Sequence, residues 1–312
     1  MQVNSRNSKL LSIVLVTLLI VSMTSCYKDD SQPKIELVNS NYKDLQLNSG
    51  FINNGIPINA ENWSVEYVKD AVSGEILLDT LGKPLILNAL GSVELQSGWL
   101  KLEKKQVDNL LTITLKENFN AHPRKFLIGI VADGKRDELS FTQSRGEGYE
   151  IVKKKIIEVP GSRKEYTSDD GIHAITLSNN SSTAKKMETS VIFKDVNYLS
   201  EFSSEDYGAF NWINPKDSLI SMDEVVREGA TYWAAKVPYK NGQSLVPYFN
   251  GGSKEELLVR PYTNVQVGGE MLYLERECLY TFTVKNLSSG TTFDISGKWK
   301  QKIPLSHTTH IY

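Results

Sequence analysis

The feature that most constrains this chain is apolar alternation with a period of two, repeated in short runs from Ile35 to Ile295. Leu111-Thr112-Ile113-Thr114-Leu115 is the cleanest run, and Cys278-Leu279-Tyr280-Thr281-Phe282-Thr283-Val284 is the longest. A period of two puts successive side chains on opposite faces of a strand, so each run carries one face to bury. Turn residues interrupt the runs. Asn53-Asn54-Gly55 marks one turn, and Ala132-Asp133-Gly134-Lys135 sits between two alternating runs, where Asp-Gly is a strong hairpin signal. The runs predict an all-β chain. At 40% apolar residues it can fill real cores. One helix is expected, because Ser221-Met222-Asp223-Glu224 has the form of a capping box before Val225 and Val226, with Gly229 as its stop. Expected strands in the second half include Met187–Val196, Val265–Leu274 and Leu279–Asn286, and a hairpin is expected from Glu75–Leu81 and Pro84–Leu90.

The first residues have another character. Arg6 and Lys9 precede an apolar run from Leu10 to Val21, which is too short for a permanent membrane helix and is followed by small residues. This is the layout of a secretory signal peptide over residues 1–25. Met23-Thr24-Ser25-Cys26 resembles the lipobox of bacterial lipoproteins, which implies that Cys26 carries the lipid and that the membrane is reached by this anchor alone. The following Lys28-Asp29-Asp30 resembles the export signal of Bacteroidota surface lipoproteins. That implies an outer-membrane address facing the cell exterior, with residues 26–34 as a tether.

Cysteine arithmetic supports this reading. The chain has two cysteines, and lipidation of Cys26 leaves Cys278 with no partner in the chain, so no intrachain disulfide is expected. Cys278 shares its strand phase with Tyr280, Phe282 and Val284, which predicts a buried structural thiol. The formal net charge of −2 gives no basic footprint for nucleic acid.

Residues 35–146 resemble the BACON domain, an immunoglobulin-like β-sandwich. The matching residues are Trp63, Gly98-Trp99-Leu100, Leu111–Leu115, the loop Asn118-Phe119-Asn120-Ala121-His122-Pro123-Arg124, and the closing strand Leu139–Gln143. The resemblance implies that Trp63 and Trp99 plug the core and that Arg124 caps the loop. Gly146-Glu147-Gly148 marks a boundary. Residues 150–312 then form a second β-sandwich, whose last strands up to Trp299 are loosely similar to fimbrillin-like surface proteins. Lys153-Lys154-Lys155 suits an edge strand with solvated lysines.

No catalytic motif is present: no nucleophile elbow, no phosphate loop and no His-Glu-x-x-His. His307 and His310 lack further ligands in the sequence nearby, and Asp169-Asp170-Gly171 lacks the spacing of a calcium loop, so neither metal nor cofactor is expected. The candidate binding segment is Phe202–Trp212, where Tyr207, Phe210 and Trp212 follow no strand or helix period. Tyr207 and Trp212 could stack on a sugar while Glu205, Asp206 and Asn211 take its hydroxyls, with Trp233 and Tyr248 joining from neighbouring loops. The alternative is that Phe210 and Trp212 plug the sandwich. The leading expectation is a non-catalytic surface lipoprotein that binds or presents glycan. The second is a fimbrillin-like structural or adhesive protein with a protein partner at the outer membrane. The third is a glycoside hydrolase without a visible motif.

Overall fold

The expected strands assemble into sheets that differ in how they use their faces. The structure is a computed structural model that describes residues 36–105, 109–214, 216, 218–227, 229–233, 236–249 and 254–312. Cys26, Lys28, Asp29 and Asp30 lie outside the described residues. Leu37–Tyr312 forms one compact unit. Its described residues are all-β, with two short 3-10 turns and no α-helix.

Two four-stranded sheets occupy the first part. One runs in the order Asp44–Leu47, Lys135–Gln143, Arg124–Ala132, Trp63–Asp70. Its first pair is parallel and the others antiparallel. The second runs Ile52–Pro57, Leu110–Leu115, Leu100–Lys104, Gly91–Glu94. The two sheets face each other across one core. Leu111, Ile113 and Leu115 enter it from one side, and Trp63, Phe126 and Phe141 from the other. Phe126 and Phe141 stack at 4.8 Å. Trp63 is a core plug, whereas Trp99 is only partly buried and packs edge-on against Phe126 at 5.3 Å. The Asp-Gly turn forms as the spacing predicts: Asp133 and Gly134 both take positive φ, 50° and 74°. That pair of left-handed residues suits a two-residue hairpin turn. The arms expected to pair over residues 75–90 do so only briefly, through an antiparallel bridge of Leu78 to Pro84 with the Leu85 amide donating to the Leu77 carbonyl, while Leu87 bridges to Val65.

A seven-stranded sheet dominates the second part. Its order is Lys164–Ser168, Thr263–Asn286, Thr292–Ile311, Asn197–Ser203, Gly242–Pro247. Tyr149–Glu158 and Ile175–Asn179 also pair with Thr263–Asn286. The lysines at 153–155 are exposed on that paired strand. The two strands expected at 265–274 and 279–286 are one strand of 24 residues. It turns over at residues 287–291 into a partner of 20 residues.

This hairpin serves two cores with opposite faces. Leu274, Cys278, Tyr280, Phe282 and Val284 enter one core with Phe202 and Trp299. Val267, Met271 and Tyr273 enter another with Ile192 and Phe193. Even-numbered residues of Thr263–Asn286 face the first core and odd-numbered ones the second, so its alternation runs unbroken; the bulge at Leu272/Tyr273 places the extra residue, Leu305, on the partner strand. A bulge leaves one residue of a strand without a direct partner and increases the local twist. Cys278 is unpaired and buried in the predicted phase, and burial pushes its thiol pKa up.

The expected helix after Ser221 is absent. Val225–Arg227 is instead a strand, paired with Ala230–Trp233 across Gly229 at φ 79°. The physical reason is local. Val225 is buried and Val226 exposed, a period of two, and two adjacent β-branched residues disfavour a helix. The strand expected from Met187 is likewise cut short at Glu188. A 3-10 turn, Ser190–Phe193, follows it.

Candidate functional site

The segment Phe202–Trp212 leaves the seven-stranded sheet and is tied back to Ser296 of the strand Thr292–Ile311. The Ser204 hydroxyl donates to the Ser296 carbonyl at 2.7 Å, and the Ser296 amide donates to Asp206 Oδ2 at 2.6 Å. The Ala209 amide donates to the Asp206 carbonyl. Gly208 takes φ 70°, and a Cβ there would lie 2.0 Å from the Phe119 ring, so the turn needs glycine.

These bonds send the rings inward. Phe202 stacks on Trp299 at 5.7 Å. Trp212 is 7% exposed, donates from Nε1 to the Ala209 carbonyl at 2.7 Å, and packs 5.6 Å from Tyr239. Phe210 packs on the same tyrosine at 4.9 Å. Trp212 therefore plugs the core and offers no open ring face, which corrects its assignment as a sugar platform. Asp206 is engaged by Ser296, while Glu205 and Asn211 are exposed. Tyr248 belongs to the other core. It packs 4.9 Å from Phe249, and its hydroxyl shares a 3.2 Å hydrogen bond with His307 Nδ1. His307 Nε2 in turn lies 2.8 Å from Glu255. Trp233 ends the strand Ala230–Trp233, and its side chain lies outside the described residues. Of the seven sequence candidates, Trp212 and Tyr248 thus lie in separate cores. Among the described residues no group of three metal-ligating side chains occurs.

Tyr207 has a different task. Its hydroxyl accepts from Arg124 Nη2, and its ring packs 5.8 Å from Phe119. Arg124 also donates from Nη1 to the Lys116 carbonyl and to Gln143 Oε1, and from Nη2 to the Glu117 carbonyl. So Arg124 does cap its loop, and it reaches across to the 202–212 segment as well. Beside it, Glu117 is 5% exposed. Glu117 Oε1 accepts from Tyr149 Oη at 3.2 Å and from Asn286 Nδ2. Burial raises the Glu117 carboxyl above the usual range and, with Glu117 beside it, raises the Tyr149 phenol far above its own. Phe119, Tyr149 and Phe293 close the junction with rings 5.5 to 6.1 Å apart.

Glu117, Tyr149 and Asn286 were not among the sequence candidates, yet a signal existed. Three buried asparagines follow strands and recur as Asn-x-Asn or Asn-x-Ser: Asn118, Asn179 and Asn286. Each Oδ1 accepts the amide two residues on. Asn118 and Asn179 each donate from Nδ2 to the carbonyl four residues on and to two carbonyls of another segment. A buried carboxamide used in this way closes a strand-to-loop junction without an orphan polar atom.

A groove lies elsewhere, on the seven-stranded sheet. It has a volume of about 460 Å³, with Lys164, Lys300, Lys302, Glu201, Glu275 and Glu277 among its lining. Several of its charges have partners: Glu277 lies 4.0 Å from Lys300 within the groove and 3.5 Å from Lys298 beside it, and Glu275 accepts from Tyr166 Oη.

No family model matches this chain, and no curated protein matches it. Some solved structures do align. A protein from Bacteroides thetaiotaomicron is 18% identical over 35% of this chain and 84% of its own, with TM-score 0.27. A lamprey immune protein is 11% identical over 84% of this chain and 98% of its own, with TM-score 0.30. Parasporin-2, a Bacillus thuringiensis toxin that recognizes cancer cells, is 7% identical over 61% of this chain and 75% of its own, with TM-score 0.24. At such scores none of them carries an argument about function.

Proposed function

We propose that this protein is a non-catalytic surface lipoprotein of structural or adhesive type, whose partner is another protein chain engaged by strand addition. The membrane address rests on Cys26 and Lys28-Asp29-Asp30. The observation that carries the mode of binding is the strand Gly242–Pro247. It is an end strand of the seven-stranded sheet and pairs on one side with Asn197–Ser203. Gly242-Gln243-Ser244-Leu245-Val246-Pro247 contains no charged residue, and Leu245 is 59% exposed. Proteins blunt their sheet edges with charge when pairing is unwanted, as Tyr149–Glu158 does with three lysines. An uncharged edge with an exposed Leu suits an added strand, whose backbone supplies the affinity.

Glycan presentation is the second reading. It now has to use surfaces other than Trp212. A photo-crosslinking residue at position 245 of the lipidated protein, displayed on cells, separates the two. Position 279, 48% exposed within the same sheet, is the control. Strand addition predicts protein adducts from 245 and none from 279. Adducts from neither position, together with retention on a polysaccharide column, would favour glycan.

A further inference from the structure

The segment between the strands Trp63–Asp70 and Gly91–Glu94 carries apolar side chains on both of its faces. Its arms pair briefly: Leu78 bridges Pro84, and the Leu85 amide donates to the Leu77 carbonyl at 2.8 Å. That register puts Leu77 and Leu85 on one face and Leu78 and Pro84 on the other. The inner face is filled. Leu85 and Leu87 are buried in the core of the first part, and Leu77 packs against it. The outer face is apolar as well. Ile76, Leu78 and Ile86 are 44%, 39% and 40% exposed, and Leu81 at the turn is 77% exposed. Pro84 is exposed beside Leu78. Single exposed apolar residues are ordinary, whereas a contiguous apolar face marks an interaction surface.

The turn that carries Leu81 satisfies its own donors. The Asp79 amide donates to the Lys83 carbonyl at 2.7 Å, and the Gly82 amide to the Asp79 carbonyl at 3.0 Å. Asp79 Oδ1 accepts from the amides of Leu81 and Lys83, both at 2.8 Å. The Gln96 amide clamps the arm by donating to the Leu78 carbonyl at 2.9 Å. A backbone with its donors paired internally is what a segment needs in order to leave water. The outer face is also aliphatic throughout. Hot spots between proteins are rich in Trp, Tyr and Arg, and this face has none of them. Leu, Ile and Pro offer area without direction, which suits hydrocarbon.

We propose that this face rests on the lipid bilayer to which Cys26 ties the chain. The inference rests on the lipid anchor proposed above, and the length of the tether supports it. Cys26 and Glu36 are ten residues apart, so the chain between them spans at most about 33–36 Å. Leu37 and Val38 then enter the same core that takes Leu85 and Leu87. The sandwich with the apolar face is therefore the one held at the membrane. So short a tether keeps the local concentration high, and a shallow contact by a few aliphatic side chains suffices to hold the sandwich down. The strand Gly242–Pro247 belongs to the seven-stranded sheet, so membrane contact and strand addition use different parts of the chain.

The test uses the lipidated protein, purified from membranes and reconstituted into phosphatidylcholine vesicles, with a photo-crosslinking residue in place of Leu81. Mass spectrometry of its peptides reads what that residue captures. Position 279, 48% exposed in the seven-stranded sheet, is the control. Phosphatidylcholine adducts are expected from 81 and not from 279. Leu78→Ser with Ile86→Ser should abolish them at 81, and the fold should tolerate the change because both side chains already meet solvent. Equal lipid yields from 81 and 279 overturn the inference. So does an unchanged yield at 81 in the double variant, or capture of a second copy of the chain in place of lipid. Should the double variant fail to fold, the comparison of 81 with 279 decides alone. The N-terminal peptide reports the anchor separately. No lipid mass on Cys26 would overturn the anchor and this contact with it, while a lipidated protein that gives no adduct at 81 overturns the contact only.

Discussion

The two four-stranded sheets and the long hairpin bury the same kind of alternating sequence in different ways. In the first part, Leu110–Leu115 presents one face to one core, and the residues between Leu111, Ile113 and Leu115 stay partly open. In the hairpin, Tyr273 and Leu274 are neighbours in sequence and both are buried, each in a different core. The difference teaches that a strand need not have a solvent face along its whole length. Because successive residues face opposite sides, one pair of strands can join two cores, one on each face, with its backbone ladder running through both.

Substitutions at adjacent positions can break this comparison. Tyr273→Ala and Leu274→Ala should each lower stability by about 2–5 kcal/mol, since each leaves a cavity in a filled core. In the first part, Ile113→Ala should fall in the same range, while Thr114→Ala should stay within about 0.5 kcal/mol. Urea unfolding of the four variants measures this. A mild effect at either Tyr273 or Leu274 would show that the hairpin has one core face only.

How much of this was legible varies with the distance between partners. Strand phase is local, so the burial of Cys278, Phe282 and Ile113 follows from the alternation around them. The Asp133-Gly134 turn is equally local. That both faces of Thr263–Asn286 are covered was not legible, because the second core is built by Ile192 and Phe193, which lie far along the chain from Met271 and Tyr273. In the 202–212 segment, composition suited both a ligand platform and a plug. Tyr239, which receives Phe210 and Trp212, decides between them and lies far along the chain. The junction at Glu117 was hidden for the same reason: its partner Asn286 is 169 residues away.

A smaller effect sharpens the contrast between the cores and that junction. Burial places the Glu117 carboxyl pKa above its unfolded value. The fold therefore gains from this group when it is protonated, and loses that gain as pH rises through the raised folded value. Glu117→Gln keeps an oxygen for Asn286 and Tyr149 but has no proton to lose. It should flatten the stability profile from the ordinary carboxylate range upward, by less than either core truncation in the hairpin costs. Glu138 is held low by its hydrogen bond from Tyr67, so its contribution is lost in a more acidic window. Denaturant midpoints of wild type and variant across the range from pH ~4 to ~8 would show this. Parallel profiles would mean that Glu117 is solvated.

The central claim is that the rings of the 202–212 segment hold the protein together and do not hold a sugar. Urea unfolding of Trp212→Ala beside the wild type tests it most directly. The ring is buried against Tyr239 and bonded to Ala209. Its removal should lower the unfolding free energy by about 3–5 kcal/mol, the range for truncating a buried aromatic residue. An unchanged midpoint would contradict the account and return Trp212 to the surface as a ligand platform.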